Sequence, residues 1–205
     1  MGKGTQGARL SAKLGVPSVS TGALLRALIA TGEDTPLVRE ARQILTGAFV
    51  SDSFANQLAF SAIAERSGFI LDGYPRSLAQ AEALAAFLRA QGTALDAALL
   101  LELSDAALAE RVGGRRLCPN CGATYHVRIE PPECEGVCDR CQSVLTLRPE
   151  DDQPEKRALR RQLYETQTAP LIAFYQGLGL LHRVNAEGSP ELVFEKVCES
   201  LRHLI

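Results

Sequence analysis

Apolar residues follow two kinds of spacing along the chain. Over residues 78–90 they recur every three or four positions, which is the stripe of an amphipathic helix. The apolar runs at 69–71 and 97–103 are bounded by polar residues and have the length of buried strands. The pattern predicts further helices at about 8–14, 23–31, 37–45, 53–66, 105–112, 155–176 and after Ser189, and further short strands within 15–20 and 182–185. Because strands alternate with helices, we expect an α/β fold with a parallel sheet flanked by helices.

Residues 115–150 interrupt this alternation and resemble a small inserted module. They contain two Cys-x-x-Cys pairs separated by 16 residues, Cys118 with Cys121 and Cys138 with Cys141. Four thiolates at this spacing fit a tetrahedral Zn²⁺ site, although four unrelated thiols or two disulfides are the alternative. Because four protein ligands leave no open coordination position, we expect the metal to fold the module rather than to take part in chemistry.

The bulk composition narrows the possible classes of function. A chain of 205 residues suits one domain with small insertions, and its net charge of −2 does not favour nucleic acid or anionic membranes. The absence of Trp argues against a platform for stacking bases. No signal peptide is visible, and no apolar run approaches the roughly 18–20 residues that span a bilayer. We therefore expect a cytoplasmic protein without nucleic-acid or membrane partners, and a monomer because nothing signals oligomerisation.

Two short motifs are candidates for holding phosphate. Residues 2–5, Gly-Lys-Gly-Thr, match the second half of the Gly-x-x-x-x-Gly-Lys-Ser/Thr loop, which cradles phosphates after a buried strand. Residues 72–76, Asp-Gly-Tyr-Pro-Arg, follow the predicted strand at 69–71, and ligands collect at the carboxyl ends of strands in open parallel sheets. There Asp72 can hold the water shell of Mg²⁺, and Arg76 can grip phosphate in a bidentate fork. Read singly, each motif also fits an ordinary surface turn.

Arginines form the third candidate feature. Arg26 lies one turn into a predicted helix, where an exposed side chain is the ordinary interpretation. Others flank the cysteine module on both sides, namely Arg111, Arg115, Arg116, Arg148, Arg157, Arg160 and Arg161. Such a set usually forms a solvated face. If its members converge on one cleft, they can instead stabilise the charge that spreads over a transferred phosphoryl group.

An ordered series of motifs connects these features. It consists of Gly-Lys-Gly-Thr-Gln at 2–6, Ser-Thr-Gly-Ala-Leu-Leu-Arg at 20–26, Asp-Gly-Tyr-Pro-Arg at 72–76, Gly-Arg-Arg at 114–116, Tyr-His at 125–126, Asp-Asp at 151–152 and Thr-Ala-Pro-Leu at 168–171. Over essentially the whole chain the series closely resembles bacterial adenylate kinases whose long lid carries a four-cysteine zinc site. The resemblance implies the P-loop nucleoside monophosphate kinase fold and the reversible reaction of MgATP with AMP to give two ADP.

The resemblance also implies a division of the chain and a set of site residues. The core would comprise 1–19, 51–113 and 152–205, the AMP-binding domain 20–50, and the zinc-binding lid 114–151. Implied ATP contacts are Gly2, Lys3, Gly4, Thr5, Arg115, Thr124, Tyr125 and Gly188. Implied AMP contacts are Thr21, Arg26, Ala48, Phe49, Val50, Gly73, Tyr74, Pro75, Arg76, Gln80, Arg148 and Arg160. The implied catalytic cations are Lys3, Arg26, Arg76, Arg115, Arg148 and Arg160, with Asp72 for water-mediated Mg²⁺ and Cys118, Cys121, Cys138 and Cys141 for Zn²⁺.

The amino terminus departs from the family pattern. The family begins with an apolar strand and the rest of the phosphate loop, and about ten such residues are missing before Met1 by the loop's usual position. We expect their loss to leave unpaired backbone groups, each costing roughly 1–3 kcal/mol. On this hypothesis the given sequence starts late, and a polypeptide beginning at Met1 is destabilised and nearly inactive.

Two other functions remain as alternatives at this point. One is a kinase for another nucleoside monophosphate, such as UMP or CMP. Thr21 and Gln80 match the adenine-specific pattern, however, and the long lid is unlike the short lid of pyrimidine enzymes. The other is a non-catalytic zinc-ribbon binding module, against which the acidic net charge and the lack of aromatic runs count.

Overall fold

The computed structural model describes residues 2–148 and 153–204. Its helices are α1 (Lys3–Leu14), α2 (Thr21–Ala30), α3 (Pro36–Ala41), α4 (Asp52–Ile63), α5 (Leu78–Ala90), α6 (Asp105–Gly113), α7 (Pro154–Leu163), α8 (Pro170–Gly177) and α9 (Pro190–Ser200). A 3₁₀ turn (Arg42–Thr46) follows α3, and a π-helical turn (Tyr164–Thr168) joins α7 to α8. The strands are β1 (Ser18–Ser20), β2 (Ile70–Asp72), β3 (Ala98–Glu102), β4 (Arg115–Leu117), β5 (Thr124–His126) and β6 (Leu181–Asn185).

The helices begin where the sequence offers caps. The side-chain oxygens of Ser51, Ser77, Ser104 and Ser189 each accept a backbone N–H from the first turn of the helix that follows. Such caps satisfy amides that have no partner inside the helix. The predicted helix at 78–90 is confirmed residue for residue as Leu78–Ala90.

The predicted parallel pairing is also present. β1 pairs with β2, with Val19 opposite Leu71, and β3 pairs with β6, with Leu100 opposite Arg183. Among the described residues these two pairs form separate two-stranded sheets. A third, antiparallel pair, β4 with β5, starts the cysteine-rich module. The chain therefore keeps an α/β core and inserts an antiparallel hairpin between α6 and α7.

Two hydrophobic clusters hold the core together. In the larger one, Phe54 and Ile63 of α4 and Leu84 and Leu88 of α5 are buried against β1 and α2. In the second, Leu10 of α1 packs with Val184 of β6, Val197 of α9 and Leu201, which follows α9. Burial of one such aliphatic side chain contributes about 1.5–3 kcal/mol, so these clusters fix α1, α4, α5 and α9 around the strands.

The predicted long helix at 155–176 is divided. α7 ends at Leu163, the next turn is π-helical, and α8 starts at Pro170. Proline has no N–H to donate into the preceding turn, and the Ala169 N–H instead donates to the Tyr164 carbonyl, five residues back, at 2.8 Å. Apolar periodicity alone cannot detect this change. None of the helices in the described part of the chain has the length and hydrophobicity needed to cross a bilayer.

Candidate active site

The segment that follows β2 is tied to the start of α2. The Thr21 hydroxyl donates to the Gly73 carbonyl at 3.1 Å. Gly73 has a φ of +79°, and a Cβ at this position would lie 3.0 Å from Nη2 of Arg76. Both the left-handed backbone and the close approach therefore require glycine. The next peptide bond but one, Tyr74–Pro75, is cis. The motif at 72–76 and Thr21 at the start of α2, widely separated in sequence, form one site.

Arg76 is held from four directions. Its Nε donates to the Gly73 carbonyl at 2.7 Å, and its backbone N–H donates to Oε1 of Gln80 at 2.7 Å. Its guanidinium lies over the Phe49 ring, 4.7 Å from the centroid, and its carbonyl accepts from the Thr168 hydroxyl at 2.9 Å. A guanidinium stacked on an aromatic face is held flat, and its planar fork of N–H groups suits the binding of an anion.

Gln80 and Tyr74 connect the segment at 72–76 to α4 through hydrogen bonds. The Gln80 side chain, 3% exposed, donates through Nε2 to Oδ1 of Asp52 at 2.6 Å. The side-chain amide of Gln80 has a second N–H, which this hydrogen bond does not use. The Tyr74 hydroxyl donates to Oδ1 of Asn56 at 2.6 Å, and burial raises the pKa of Tyr74 well above its usual value. Asp52, Asn56 and the Thr168 hydroxyl were not predicted as site residues, because no local pattern marks a partner supplied by a distant helix.

The residues at the start of α1 meet those of the β2 end. Gly2 caps α1 with a φ of +89°, and a Cβ at Gly4 would lie 3.5 Å from Oδ2 of Asp72. Thr5 is half-buried one residue further on. The amino end of a helix presents unsatisfied N–H groups and a partial positive charge, which suits phosphate.

Four cationic side chains share this region. Lys3 retains solvent access on one side, yet the protein packed around it removes enough water to lower the pKa of Lys3 below its usual value. Asp72 opposes that shift, whereas the neighbouring positive charges add to it, and these come from Arg76, Arg115 and Arg160. Like charges brought together by a fold are costly unless an anion joins them. The arrangement is therefore suited to a polyanion.

Arg26 lies at the neighbouring helix start. A Cβ at Gly22 would lie 3.4 Å from Nη1 of Arg26, so the guanidinium folds back towards the beginning of α2. The loop at 48–50 follows the 3₁₀ turn, with Ala48 and Phe49 half-buried and Val50 buried. The ring of Phe49 contributes its face to Arg76.

A cleft of about 380 Å³ adjoins the start of α1. Its lining includes Glu110, Arg111, Glu187 and Gly188. Nη2 of Arg111 donates to the carbonyls of Ala186 and Gly188, at 2.8 Å and 3.1 Å. Gly188, predicted from the sequence, therefore has a planar guanidinium as its neighbour. Arg111 had been noted only as one of the arginines that flank the cysteine module.

The remaining predicted contacts lie in the module. Thr124 is exposed and Tyr125 half-buried on β5. The Tyr125 hydroxyl lies 3.4 Å from Sγ of Cys138 and accepts the Asp139 N–H at 3.0 Å, so it is turned towards the cysteines. Arg148 is half-buried at the end of the first described range. The Asp151–Asp152 motif lies outside the described residues.

The four predicted cysteines converge at one point. Their Sγ atoms all lie within 4.8 Å of one another, with Cys118 to Cys141 at 3.3 Å and Cys121 to Cys138 at 3.5 Å. These separations exceed the ~2.05 Å of a disulfide. They are close to the roughly 3.8 Å expected between sulfurs of a tetrahedral site with Zn–S bonds of ~2.3 Å. The donor set therefore fits Zn²⁺.

The two Cys-x-x-Cys turns have the same backbone form. The fourth residue after the first cysteine donates its N–H back to that cysteine's carbonyl, Gly122 to Cys118 at 3.0 Å and Gln142 to Cys138 at 2.8 Å. Both residues have left-handed φ values, +71° and +59°. Hydrogen bonding with the side chain and backbone of Ser143 lowers the pKa of Cys141, whereas desolvation and the neighbouring thiols raise the pKa of Cys121.

The chain is similar to known proteins of one family. The family model for adenylate kinase matches residues 1–180. An adenylate kinase of Symbiobacterium thermophilum is 43% identical over 205 residues, which cover 98% of this chain and 94% of that protein. An adenylate kinase of Rhizobium rhizogenes is 42% identical over 196 residues, covering 94% and 90%. One from Thermoanaerobacter sp. is 39% identical over 204 residues, covering 98% and 93%.

Proposed function

Since this chain belongs to the adenylate kinase family, whose members are phosphotransferases, we propose that it transfers a phosphoryl group reversibly from MgATP to AMP, giving two ADP. The observation that carries the proposal is the convergence of Lys3, Arg76, Arg115 and Arg160 beside Asp72. Separate segments of the chain supply these cations. Their common purpose is to hold a row of phosphates.

The two sides of the site take different nucleotides in this proposal. The α1 start, Gly2 to Thr5, receives the ATP phosphates, and the cleft beside Gly188 and Arg111 receives the ATP base. AMP occupies the opposite side, where Thr21, Arg26 and the loops at 48–50 and 73–76 meet. Gln80 supports that loop, and its remaining amide N–H is available to the base.

The chemistry requires positioning and charge stabilisation more than proton transfer. An AMP phosphate oxygen attacks the γ-phosphorus of ATP, the bond from that phosphorus to its bridging oxygen breaks, and ADP leaves. The nucleophile is already anionic, so no general base is needed. Arginines held in advance stabilise the charge on the equatorial oxygens, and Arg76 meets that description. Mg²⁺ supplies charge neutralisation and alignment of the phosphates, and Asp72 would hold it through water.

The cysteine module acts as a lid in this scheme. Arg115 opens β4 and reaches the Lys3 region, while the four cysteines hold the far end of the same module. Zn²⁺ would keep the lid rigid and would supply no step of the reaction. A closed lid excludes water, which otherwise competes with AMP as phosphoryl acceptor. We assign 114–151 to the lid, 20–50 to the AMP-binding domain, and 1–19, 51–113 and 152–205 to the core.

The protein's setting is part of the same proposal. We infer a cytoplasmic monomer whose partners are ATP, AMP and ADP. Free cysteines at 118, 121, 138 and 141 suit a reducing compartment. The net charge of −2 gives no general attraction to nucleic acid.

A coupled assay tests the substrate assignment. Purified protein is given MgATP with AMP, UMP, CMP or GMP, and formation of the nucleoside diphosphate is followed. We expect AMP to have a kcat/KM at least about 100-fold above the others, since buried polar groups that recognise one base reject those that leave them unpaired. Preferential turnover of UMP or CMP would assign the site to another nucleoside monophosphate. Turnover of none by folded, zinc-loaded protein with a complete phosphate loop would contradict the proposal.

A further inference from the structure

The chain directly after the 3₁₀ turn contacts two separate parts of the site. We call this segment, residues 47–49, the bridging turn. It begins where the Gly47 N–H donates to the Ile44 carbonyl at 3.1 Å. On one side it meets the backbone of α7, and on the other side it meets the guanidinium of Arg76. The bridging turn therefore connects an element of the core to an arginine at the end of β2.

Gly47 lies against the backbone of α7. It is buried, its φ is +89°, and a Cβ at this position would lie 2.8 Å from the carbonyl oxygen and 3.2 Å from Cα of Lys156. The backbone of a helix cannot move aside as the end of a flexible side chain can. Glycine is therefore required twice, by the left-handed conformation and by the close approach.

The point of contact on α7 is one helical turn away from Arg160. Residues four positions apart are neighbours along one side of a helix, which applies to Lys156 and Arg160. The charge of Arg160 helps to lower the pKa of Lys3, so Arg160 belongs to the group of converging cations. The contact at Gly47 therefore fixes how far the bridging turn lies from one of these cations.

Phe49 makes the second contact of the bridging turn. Its half-buried ring lies 4.7 Å from Cζ of Arg76, measured at the ring centroid. The hydrogen bond from Nε of Arg76 to the Gly73 carbonyl fixes one edge of the guanidinium. The ring adds a flat surface on which the guanidinium stacks, so the edge and the plane are both defined.

The bridging turn is also held at its carboxyl end. Val50 is buried, and the Ser51 N–H donates to Oε1 of Glu40 at 3.1 Å, an oxygen that also accepts the Ser51 hydroxyl. Ser51 in turn caps α4. Because both ends of the turn are fixed, a displacement at Gly47 must be passed on to Phe49.

The helical segment that starts with α7 reaches Arg76 by a second route. Thr168, in the π-helical turn after α7, donates its hydroxyl to the Arg76 carbonyl at 2.9 Å. This segment therefore contacts the backbone of Arg76 directly and its guanidinium through Gly47 and Phe49. The two ends of Arg76 are positioned against the same part of the core.

We propose that the bridging turn sets the position of Arg76 relative to Arg160, with Gly47 and Phe49 as positioning residues that act through these two arginines. Gly47 sets the distance to α7, and the Phe49 ring sets the plane of the Arg76 guanidinium. The ligand group that depends on this alignment is the phosphate of the acceptor nucleotide, since planar forks of N–H groups bind phosphate oxygens in pairs. The inference rests on the proposed function for the identity of that nucleotide.

Fluorination of the Phe49 ring tests the aromatic contact with little change of shape. One, two or three ring fluorines withdraw electron density from the ring face step by step and weaken its attraction for a cation. We expect AMP affinity, measured by calorimetry without ATP, to fall with each fluorine and by about three- to tenfold over the series. Adenosine affinity, measured by NMR titration, should stay constant. The same series at Phe194, a half-buried ring on α9, should change neither affinity.

Two glycines with left-handed backbones separate the close approach from conformational strain. Gly47→Ala must move the bridging turn away from α7, whereas Gly32→Ala carries the same kind of strain, at a φ of +73°, and meets nothing within 4 Å. We expect Gly47→Ala to shift the Nε–H NMR signals of Arg76 and Arg160 and to weaken AMP binding at least about tenfold. Gly32→Ala should change neither. If Gly47→Ala does not fold, the fluorine series decides alone.

Three results would overturn the proposal. They are equal AMP affinity across the fluorine series, an Arg76 signal that Gly47→Ala leaves in place, and a parallel loss of AMP and adenosine affinity, which would mean that the turn only supports the fold. Failure of the unaltered chain to bind AMP would count against the proposed function instead. In that case the NMR signals of Arg76 and Arg160 would still decide whether the bridging turn aligns them.

Discussion

At the scale of single residues, the site depends on side chains that are held before any ligand arrives. Arg76 combines a hydrogen bond to Gly73, a hydrogen bond from its own backbone to Gln80, and a contact with the Phe49 ring. The sequence pattern predicts Arg76, Lys3 and the four cysteines as site residues because each belongs to a short motif. The supports at Asp52 and Thr168 were missed, since they are defined only by contacts between segments far apart in the chain.

Replacement of Arg76 by lysine keeps the positive charge but removes the planar guanidinium group with its paired N–H donors. Lysine cannot stack flat on Phe49 or bind phosphate with two parallel N–H groups. We expect Arg76→Lys to lower kcat/KM for AMP by about 100-fold or more in the coupled assay, with little change in Tm. Arg89→Lys, at an exposed position in the last turn of α5, is the control and should retain full activity. Near-normal activity of Arg76→Lys would mean that charge alone is sufficient.

At the scale of elements, the periodic helices were predictable and the irregular joints were not. The helix Leu78–Ala90 follows directly from its apolar stripe and its Ser77 cap. The π-helical turn at Tyr164–Thr168 has no periodic signature, yet it delivers the Thr168 hydroxyl to the Arg76 carbonyl. The separation of the strands into two pairs could not be predicted from the hydrophobic pattern either, because pairing depends on contacts between distant segments.

The junction between α6 and the lid offers a test with an adjacent control. A Cβ at Gly114 would lie 2.2 Å from Nε2 of His126, whereas a Cβ at Gly113 would meet nothing within 4 Å. His126 is buried, and its Nδ1 accepts the N–H groups of Arg128 and Ile129, both at 3.1 Å. Gly114→Ala must displace the ring.

We expect Gly114→Ala to destabilise the β4–β5 hairpin by about 1–3 kcal/mol, as overpacking does. Gly113→Ala should be neutral or slightly stabilising, since alanine favours a helix end. Hydrogen exchange of the Val127 amide, which donates to the Gly114 carbonyl at 2.9 Å, reports the difference. Equal exchange rates in the two variants would contradict the packing described for His126.

At the scale of the whole molecule, a core and a small module without a large hydrophobic interior are stabilised in different ways. The core buries leucines, isoleucines and phenylalanines, whereas the buried centre of the module consists of Cys118, Ala123, Cys138 and Leu145. So small a cluster needs a metal to hold it. The cysteine spacing made this half of the architecture predictable from the sequence.

Metal analysis tests this division. We expect one zinc per chain in the purified protein, and loss of zinc in Cys138→Ser together with faster hydrogen exchange confined to the module. Cys134→Ser, an exposed cysteine outside the cluster, should keep its zinc. Equal zinc content in all three proteins would contradict the assignment of the site.

Turnover without Lys3 is the measurement that bears most directly on the claim that separate cationic segments converge on a row of phosphates. The rate of phosphoryl transfer from MgATP to AMP is compared for the unaltered chain, Lys3→Met and Lys13→Met. Lys13 is an exposed lysine in the last turn of the same helix, remote from Asp72. We expect Lys3→Met to lower kcat/KM by at least about 100-fold and Lys13→Met to leave it unchanged. Equal and substantial rates for all three proteins would contradict the account.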